Sequence, residues 1–220
     1  MFDALIQEKI EKLINNINSR KEHEYAAATY RDIKDLKEID ELINRNIDDE
    51  EASLLYAYEN YMFLATEYKT LTRMSIVADY LKKALEVMIK VYEIYKIEEI
   101  KEDASSLLSD LLRFRNFFVD DDCLDIKELV KGSGLLKDEK IDEIFEKRMK
   151  SRRTLKNDPV EMSPEYLAVI DEIEEKIDKN RKYHGMGSCF ETWSLKQEYL
   201  AEKGITWTPP NLLNPNVMFD

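Results

Sequence analysis

The chain has 220 residues, of which 44% are hydrophobic and 36% charged, with only 5 Gly and 5 Pro. A chain of this length buries enough apolar surface to fold without disulfides or metals, and so few turn-forming residues argue against a fold built of many short strands. The formal net charge of -13 repels phosphate backbones and anionic lipid headgroups, so nucleic acid and membrane surfaces are poor candidates as partners.

The N-terminal segment carries acids where a signal peptide requires an uninterrupted apolar run. Asp3 and Glu8 interrupt it, and no stretch approaches about 18 uncharged apolar residues. Two cysteines, Cys123 and Cys189, are too few for a disulfide framework. We therefore expect a cytoplasmic protein with both thiols reduced.

Apolar residues at three- and four-residue spacing predict helices along the whole chain. The predicted helices, in chain order, are 3–17, 23–44, 53–68, 74–97, 103–119, 124–130, 138–152, 164–182 and 189–203. The third and fourth are apolar on more than one side and must be packed between neighbours. No segment argues for a strand, so the predicted fold class is all-α.

The clearest boundary is the segment "NDPVEMSPEY" over 157–166, and the candidate linker is 154–163. Pro159 and Pro164 interrupt the helical pattern, and Ser163 followed by Pro164 is typical of an N-cap and a first helical residue. We therefore predict a helical body over 1–153 and a C-terminal extension over 160–220 that docks back on it.

One segment has the spacing of a known helical repeat. Tyr61, Leu64, Ala65 and Tyr68 on the first helix are followed by three matching positions on the second, which are Val77, Leu81 and Ala84. Over 61–89 the chain resembles a tetratricopeptide repeat, a helix-turn-helix unit of about 34 residues. Ile89 stands where that family usually has proline, and the neighbouring units are out of register.

This resemblance implies stacked antiparallel helix pairs that bind a peptide in a concave groove without catalysis. The alternative is a general antiparallel helical hairpin, whose packing requires small and large residues in similar places. From the resemblance, binding is assigned to Tyr61 and Tyr68.

The stretch "KYHGMGSCFETW" is the candidate chemical site. Ser188 and Glu191 fit the capping box S-x-x-E, which would place Cys189 at the first residue of a helix, where unpaired N–H groups favour a thiolate. His184 would act as its base. The alternative is a tight glycine turn with Cys189 as a small buried hydrophobe.

Metal and cofactor signatures are weak. The two histidines and two cysteines show no C-x-x-C or H-x-x-x-H spacing, so neither a metal nor a cofactor is expected. The run "KRMKSRRTLK" over 147–156 has six basic residues and no acid. It could bind an acidic partner or a phosphate, although a helix C-terminus that complements its own dipole explains it more simply.

The C-terminus is too apolar for a free tail. Trp207 and Phe219 are expected to be buried, and three prolines after Gly204 oppose a regular helix. We therefore predict that this segment is an extended strap across the helical body. The alternatives are that the segment presents Trp207 and Phe219 to a partner or occupies the groove of another copy of the chain. From Gly187 onward the chain also resembles the C-terminal segment of uncharacterised bacterial proteins, a resemblance that implies no activity.

Together these features predict a non-enzymatic interaction module that binds a peptide or protein partner through a helical groove, and a basic partner is one candidate. Trp193 and Trp207 join Tyr61 and Tyr68 as predicted binding residues. The alternative function is a thiol-dependent enzyme that uses Cys189 and His184.

Overall fold

The structure, a computed structural model, describes residues 2–23, 32–119, 123–150, 155–183 and 185–219. Within these ranges the elements are helices and the all-α fold class is confirmed. The helices are α1 (Ala4–His23), α2 (Ile33–Asn46), α3 (Glu51–Thr70), α4 (Met74–Tyr95), α5 (Ile100–Arg115), α6 (Leu124–Ser133), α7 (Asp138–Lys150), α8 (Pro164–Asn180), α9 (Ser188–Glu202) and α10 (Pro210–Leu213).

Two compact units divide the chain. The N-terminal unit comprises Met1–Arg115 with Cys123–Ser151, and the C-terminal unit comprises Asn116–Asp122 with Arg152–Asp220. The docking of the C-terminal extension on the helical body stays a prediction. Among the described helices, none combines the length and apolarity that spanning a bilayer requires.

Some helix ends differ from the prediction. The first helix continues to His23, and the second starts at Ile33; the predicted helical residues 24–31 lie outside the described part of the chain. The fifth helix ends at Arg115 rather than 119, because the next residues pair their backbone elsewhere. Phe118 forms an isolated parallel bridge with Asn157.

Four helices of the N-terminal unit lie side by side in the order α1, α3, α5, α7. The ring of Phe2 lies 5.0 Å from that of Tyr56, and near the other ends of α1 and α3 the Lys21 ammonium donates to Glu67 at 2.6 Å. Lys69 of α3 lies over the ring of Phe114 in α5. Because early residues contact early residues and late contact late, α1 and α3 run parallel.

The helices α2 and α4 are also parallel neighbours. The Lys83 ammonium donates to Asp40 at 2.9 Å, and Tyr95 Oη donates to the backbone carbonyl of Asp49 at 2.7 Å. Arg20, late in α1, contacts Asp32 and thereby fixes the start of α2 beside the end of α1. The chain therefore forms stacked antiparallel pairs, α1 with α2 and α3 with α4.

The α3–α4 pair supplies the centre of the core. α4 packs against α3, α5 and α6. All residues that match the repeat spacing are buried, namely Tyr61, Leu64, Ala65, Tyr68, Val77, Leu81 and Ala84. The small side chains of Ala65 and Ala84 allow the helix axes to approach closely.

A separate core forms the C-terminal unit. Ser163 Oγ accepts a hydrogen bond from Tyr166 N at 3.2 Å, so the predicted N-cap of α8 is confirmed. The apolar faces of α8 and α9 meet around residues such as Ile170 and Leu200, and Trp207 of the strap is buried among them. The strap is extended over 205–209, but Pro210–Leu213 then forms one short helix.

We predict that Leu64→Ala lowers the free energy of unfolding by about 2–5 kcal/mol, because Leu64 is 0% exposed and truncation leaves a cavity. The matched control is Leu55→Ala on the same helix, where Leu55 is 40% exposed and the loss should be below about 1 kcal/mol. Urea unfolding followed by far-UV circular dichroism measures both. Equal losses would contradict the burial of Leu64.

Candidate functional site

The side of α3 that points away from α4 is largely apolar and partly exposed. We call this surface the α3 outer face; its residues are Leu55, Tyr58, Glu59, Met62, Phe63 and Thr66. Leu55, Glu59 and Thr66 are exposed, and the other three side chains are half-buried. A helix that is apolar on all sides normally lies inside a protein, so this exposure requires a functional or structural reason.

Acids from α1 and α5, together with Glu59 of α3, lie near the tyrosines Tyr56 and Tyr58 of α3. Burial raises the pKa of Tyr56, a hydrogen bond with Asn60 opposes this shift, and the negative charges of Glu11 in α1 and Glu59 in α3 add to it. Burial and the charge of Asp103 in α5 raise the pKa of Tyr58. These three carboxylates are exposed, so they remain available to a cation from a partner.

Tyr61 and Tyr68, the predicted binding residues of α3, lie on its buried side. Both rings stack on Tyr80, at centroid distances of 6.2 and 5.5 Å. Tyr61 Oη donates to Asn44 at 3.0 Å, and the Lys83 ammonium lies over the Tyr61 ring. The two tyrosines therefore pack the helix pairs together, and direct contact with a partner through these rings stays a prediction.

The environment of this tyrosine cluster keeps the hydroxyls neutral. Burial first, and then the charge of Asp40, raises the pKa of Tyr61 to about 12. Burial raises the pKa of Tyr68 to about 12. The cluster is therefore a hydrogen-bonded, uncharged part of the core at neutral pH.

The predicted capping box at α9 is wrong. The residue before the helix is Gly187, whose φ of 84° few other residues adopt, and Ser188 is already helical without a side-chain cap. Glu191 accepts hydrogen bonds from the backbone N–H of Lys182 and Tyr183 at 3.2 and 2.9 Å. The Glu191 carboxylate thus links α9 to the segment that follows α8, instead of accepting a hydrogen bond from the N-terminus of its own helix.

Cys189 is the second residue of α9, and its thiol is partly exposed and not in a disulfide. His184, its predicted base, lies outside the described residues. The pairing of these two residues in one catalytic site therefore stays a prediction.

Trp193 and Trp207, the other predicted binding residues, have different environments. Trp207 is buried; its Nε1 donates to Glu161 at 2.7 Å, and the Lys196 ammonium lies 4.8 Å from its ring centroid. Trp193 is half-buried and makes edge contacts with Phe190 at 5.3 Å and Phe219 at 5.1 Å. Trp193 remains accessible to a partner, whereas Trp207 holds the strap.

The basic run 147–156 is partly described. Residues 151–154 lie outside the described chain. Lys150 pairs with Glu146 at 3.0 Å, and the basic side chains occupy the last turn of α7. This arrangement agrees with the simpler interpretation of a helix C-terminus that complements its dipole. Among the residues that the structure describes, no three His, Cys, Asp or Glu side chains could hold one metal ion.

Sequence reasoning missed two features. The acids around the α3 outer face come from helices far apart in sequence, although the apolar character of α3 on all sides was a usable signal. Glu161 was missed because its partner Trp207 lies 46 residues away.

We predict that Glu161→Gln becomes more stable relative to the wild type as pH rises from acid to neutral. Burial raises the pKa of Glu161 above its ordinary value of 4.5, although the charge of Lys196 opposes the shift. A carboxyl with a higher pKa in the folded state costs stability once pH exceeds the unfolded value, and the cost is complete above the folded value. Glutamine retains the acceptor for Trp207 without this cost.

Urea unfolding followed by tryptophan fluorescence measures this difference, because Trp193 and Trp207, the only tryptophans in the sequence, are both in the C-terminal unit. Glu165→Gln, at an exposed position in α8, is the control and should follow the wild type at every pH. A constant difference between Glu161→Gln and the wild type would contradict the raised pKa.

Comparisons of the chain with protein-family models, with curated proteins and with solved structures gave no match. The stacked helix pairs are compatible with a helical repeat, and the tetratricopeptide likeness remains a resemblance.

Proposed function

We propose that this chain is a cytoplasmic, non-enzymatic interaction module that binds a basic segment of a protein partner along the α3 outer face. The observation that carries the proposal is the coincidence of partly exposed apolar side chains on α3 with exposed acids from α1, α3 and α5. Apolar contact would supply affinity, and the acids would select positive charge.

The helix arrangement supports this choice of surface. α3 lies between α1 and α5. The α3 outer face is therefore flanked by α1 on one side and by α5 on the other. Stacked helix pairs commonly create extended concave surfaces of this kind for peptides. We propose that α1–α2 and α3–α4 are two units of a tetratricopeptide-like array.

Tyr61 and Tyr68 would support the α3 outer face from the buried side of α3. Their rings fix the position of α3 against Tyr80 of α4. A rigid α3 outer face loses little conformational entropy on binding, which favours affinity.

We predict that a fluorescein-labelled amphipathic peptide of Lys and Leu binds the full chain, and that added salt weakens the complex. The same peptide with Glu in place of Lys should not bind at this face. In fluorescence anisotropy, the triple variant Glu11→Lys, Glu59→Lys, Asp103→Lys should bind the basic peptide at least about tenfold more weakly, because it replaces attraction by repulsion.

The control triple Glu93→Lys, Glu139→Lys, Glu165→Lys changes the net charge equally at exposed positions on other helices. It should weaken binding far less. Met62→Glu should also weaken binding, whereas Leu212→Glu, at a residue 64% exposed in the C-terminal unit, should not. Equal effects of the two triples would show that only overall charge matters and would refute the site.

A second candidate function, a thiol-dependent enzyme, is favoured by one observation. Cys189 lies in the first turn of the 15-residue helix α9 with its thiol partly exposed. Unsatisfied N–H groups at such a position stabilise a thiolate. The proposed base is His184.

Alkylation by iodoacetamide in a Cys123→Ser background distinguishes the two functions. A binding module needs no activated thiol, so we predict that Cys189 in folded protein reacts more slowly than in urea, where the side chain is fully accessible. Faster reaction in the folded protein, slowed by His184→Ala, would instead support the enzyme.

A further inference from the structure

A second surface of the N-terminal unit is positively charged. It is a trough between α5 and α7 that consists of two adjoining cavities of about 370 and 710 Å³, which share Ser105, Ser106 and Lys140. We call it the α5–α7 trough. Lys137 and Arg148, near its two ends, are separated by about 16 Å along a helix, which is too long for a single small ion and suits an extended segment.

Cations outnumber acids in the α5–α7 trough. The lining cations are Lys101, Lys137, Lys140, Lys147 and Arg148, and the acids are Glu102, Asp110 and Glu143. Lys101 pairs with Glu98 at 2.6 Å, and Lys140 pairs with Glu143 at 3.1 Å. The trough thus carries a local positive charge in a chain whose formal net charge is -13.

Lys137 and Lys147 are exposed and keep their charge available. Among the described residues neither forms an ion pair, although the chain has 46 acids and 33 Lys and Arg.

Hydroxyl groups form the opposite wall. Ser109 Oγ accepts hydrogen bonds from Nε and Nη2 of Arg148 at 2.8 and 2.6 Å, so α5 fixes the position of this guanidinium. Ser105 and Ser106 line the junction of the two cavities beside Lys140. O–H donors next to ammonium groups match the oxygens of carboxylates and phosphates.

We propose that the α5–α7 trough binds an acidic peptide segment. Its carboxylate or phosphate side chains pair with Lys137 and Lys147, and the hydroxyls of α5 donate to the same oxygens. The Debye length of about 10 Å at 0.1 M salt means that these nearby cations, rather than the distant acids of the chain, decide binding. This site is separate from the α3 outer face and has the opposite preference.

Three fluorescein-labelled peptides test the proposal with the full chain: a short Glu-rich peptide, the same peptide with phosphoserine in place of some Glu, and a Gln version without charge. We expect both acidic peptides to bind and the Gln peptide not to bind. The tighter of the two acidic peptides identifies the source of the anionic oxygens. Lys137→Gln with Lys147→Gln should weaken acidic binding at least about tenfold.

Lys150→Gln is the matched control. It makes the same Lys→Gln change in α7, the helix of Lys147, but Lys150 pairs with Glu146 and does not line the trough. We expect less than about a twofold effect. Met62→Glu should also leave acidic binding unchanged, so failure here is distinguishable from failure at the α3 outer face. The proposal is overturned if no acidic peptide binds at low salt, if Lys150→Gln weakens binding as much as the double variant, or if a single-stranded RNA binds more tightly.

Discussion

The apolar contact between α3 and α4 is the constraint on which the N-terminal unit depends. Each helix has apolar residues on more than one side, so each requires several neighbours to be stable in water. α4 meets this need with α3, α5 and α6. α3 meets it only in part, because its outer face keeps Leu55 exposed and Met62 half-exposed. The packing that stabilises the unit therefore also creates the surface that we propose as its binding site.

Charge is distributed unevenly over the same row of helices. Acids lie near α3, whereas Lys137 lies just before α7 and Lys147 lies within it. Buried ion pairs such as Lys21 with Glu67 hold the helices in register, because a buried carboxylate without its partner would be costly. The exposed charges have no such structural task, and they give the two surfaces opposite preferences. A partner with basic and acidic segments would suit this arrangement of charge.

The C-terminal unit is organised by polar contacts that close its ends. Trp207 donates to Glu161, and Asp158 accepts from the backbone N–H of Thr208 at 2.7 Å. Asn214 exchanges two hydrogen bonds with the backbone of Lys156, both at 2.8 Å. These contacts attach the strap to the residues that precede α8, and they explain why so apolar a C-terminus is ordered in this unit.

The sequence by itself determined the all-α class, the approximate helices and the cap at Ser163, because periodicity and capping act between residues a few positions apart. Only the tertiary structure decided the rest. Glu191 accepts hydrogen bonds from the backbone of Lys182 and Tyr183 instead of capping its own helix, and Tyr61 is buried against Tyr80. The two proposed surfaces combine residues from helices far apart in the chain, and no local pattern encodes which helices become neighbours.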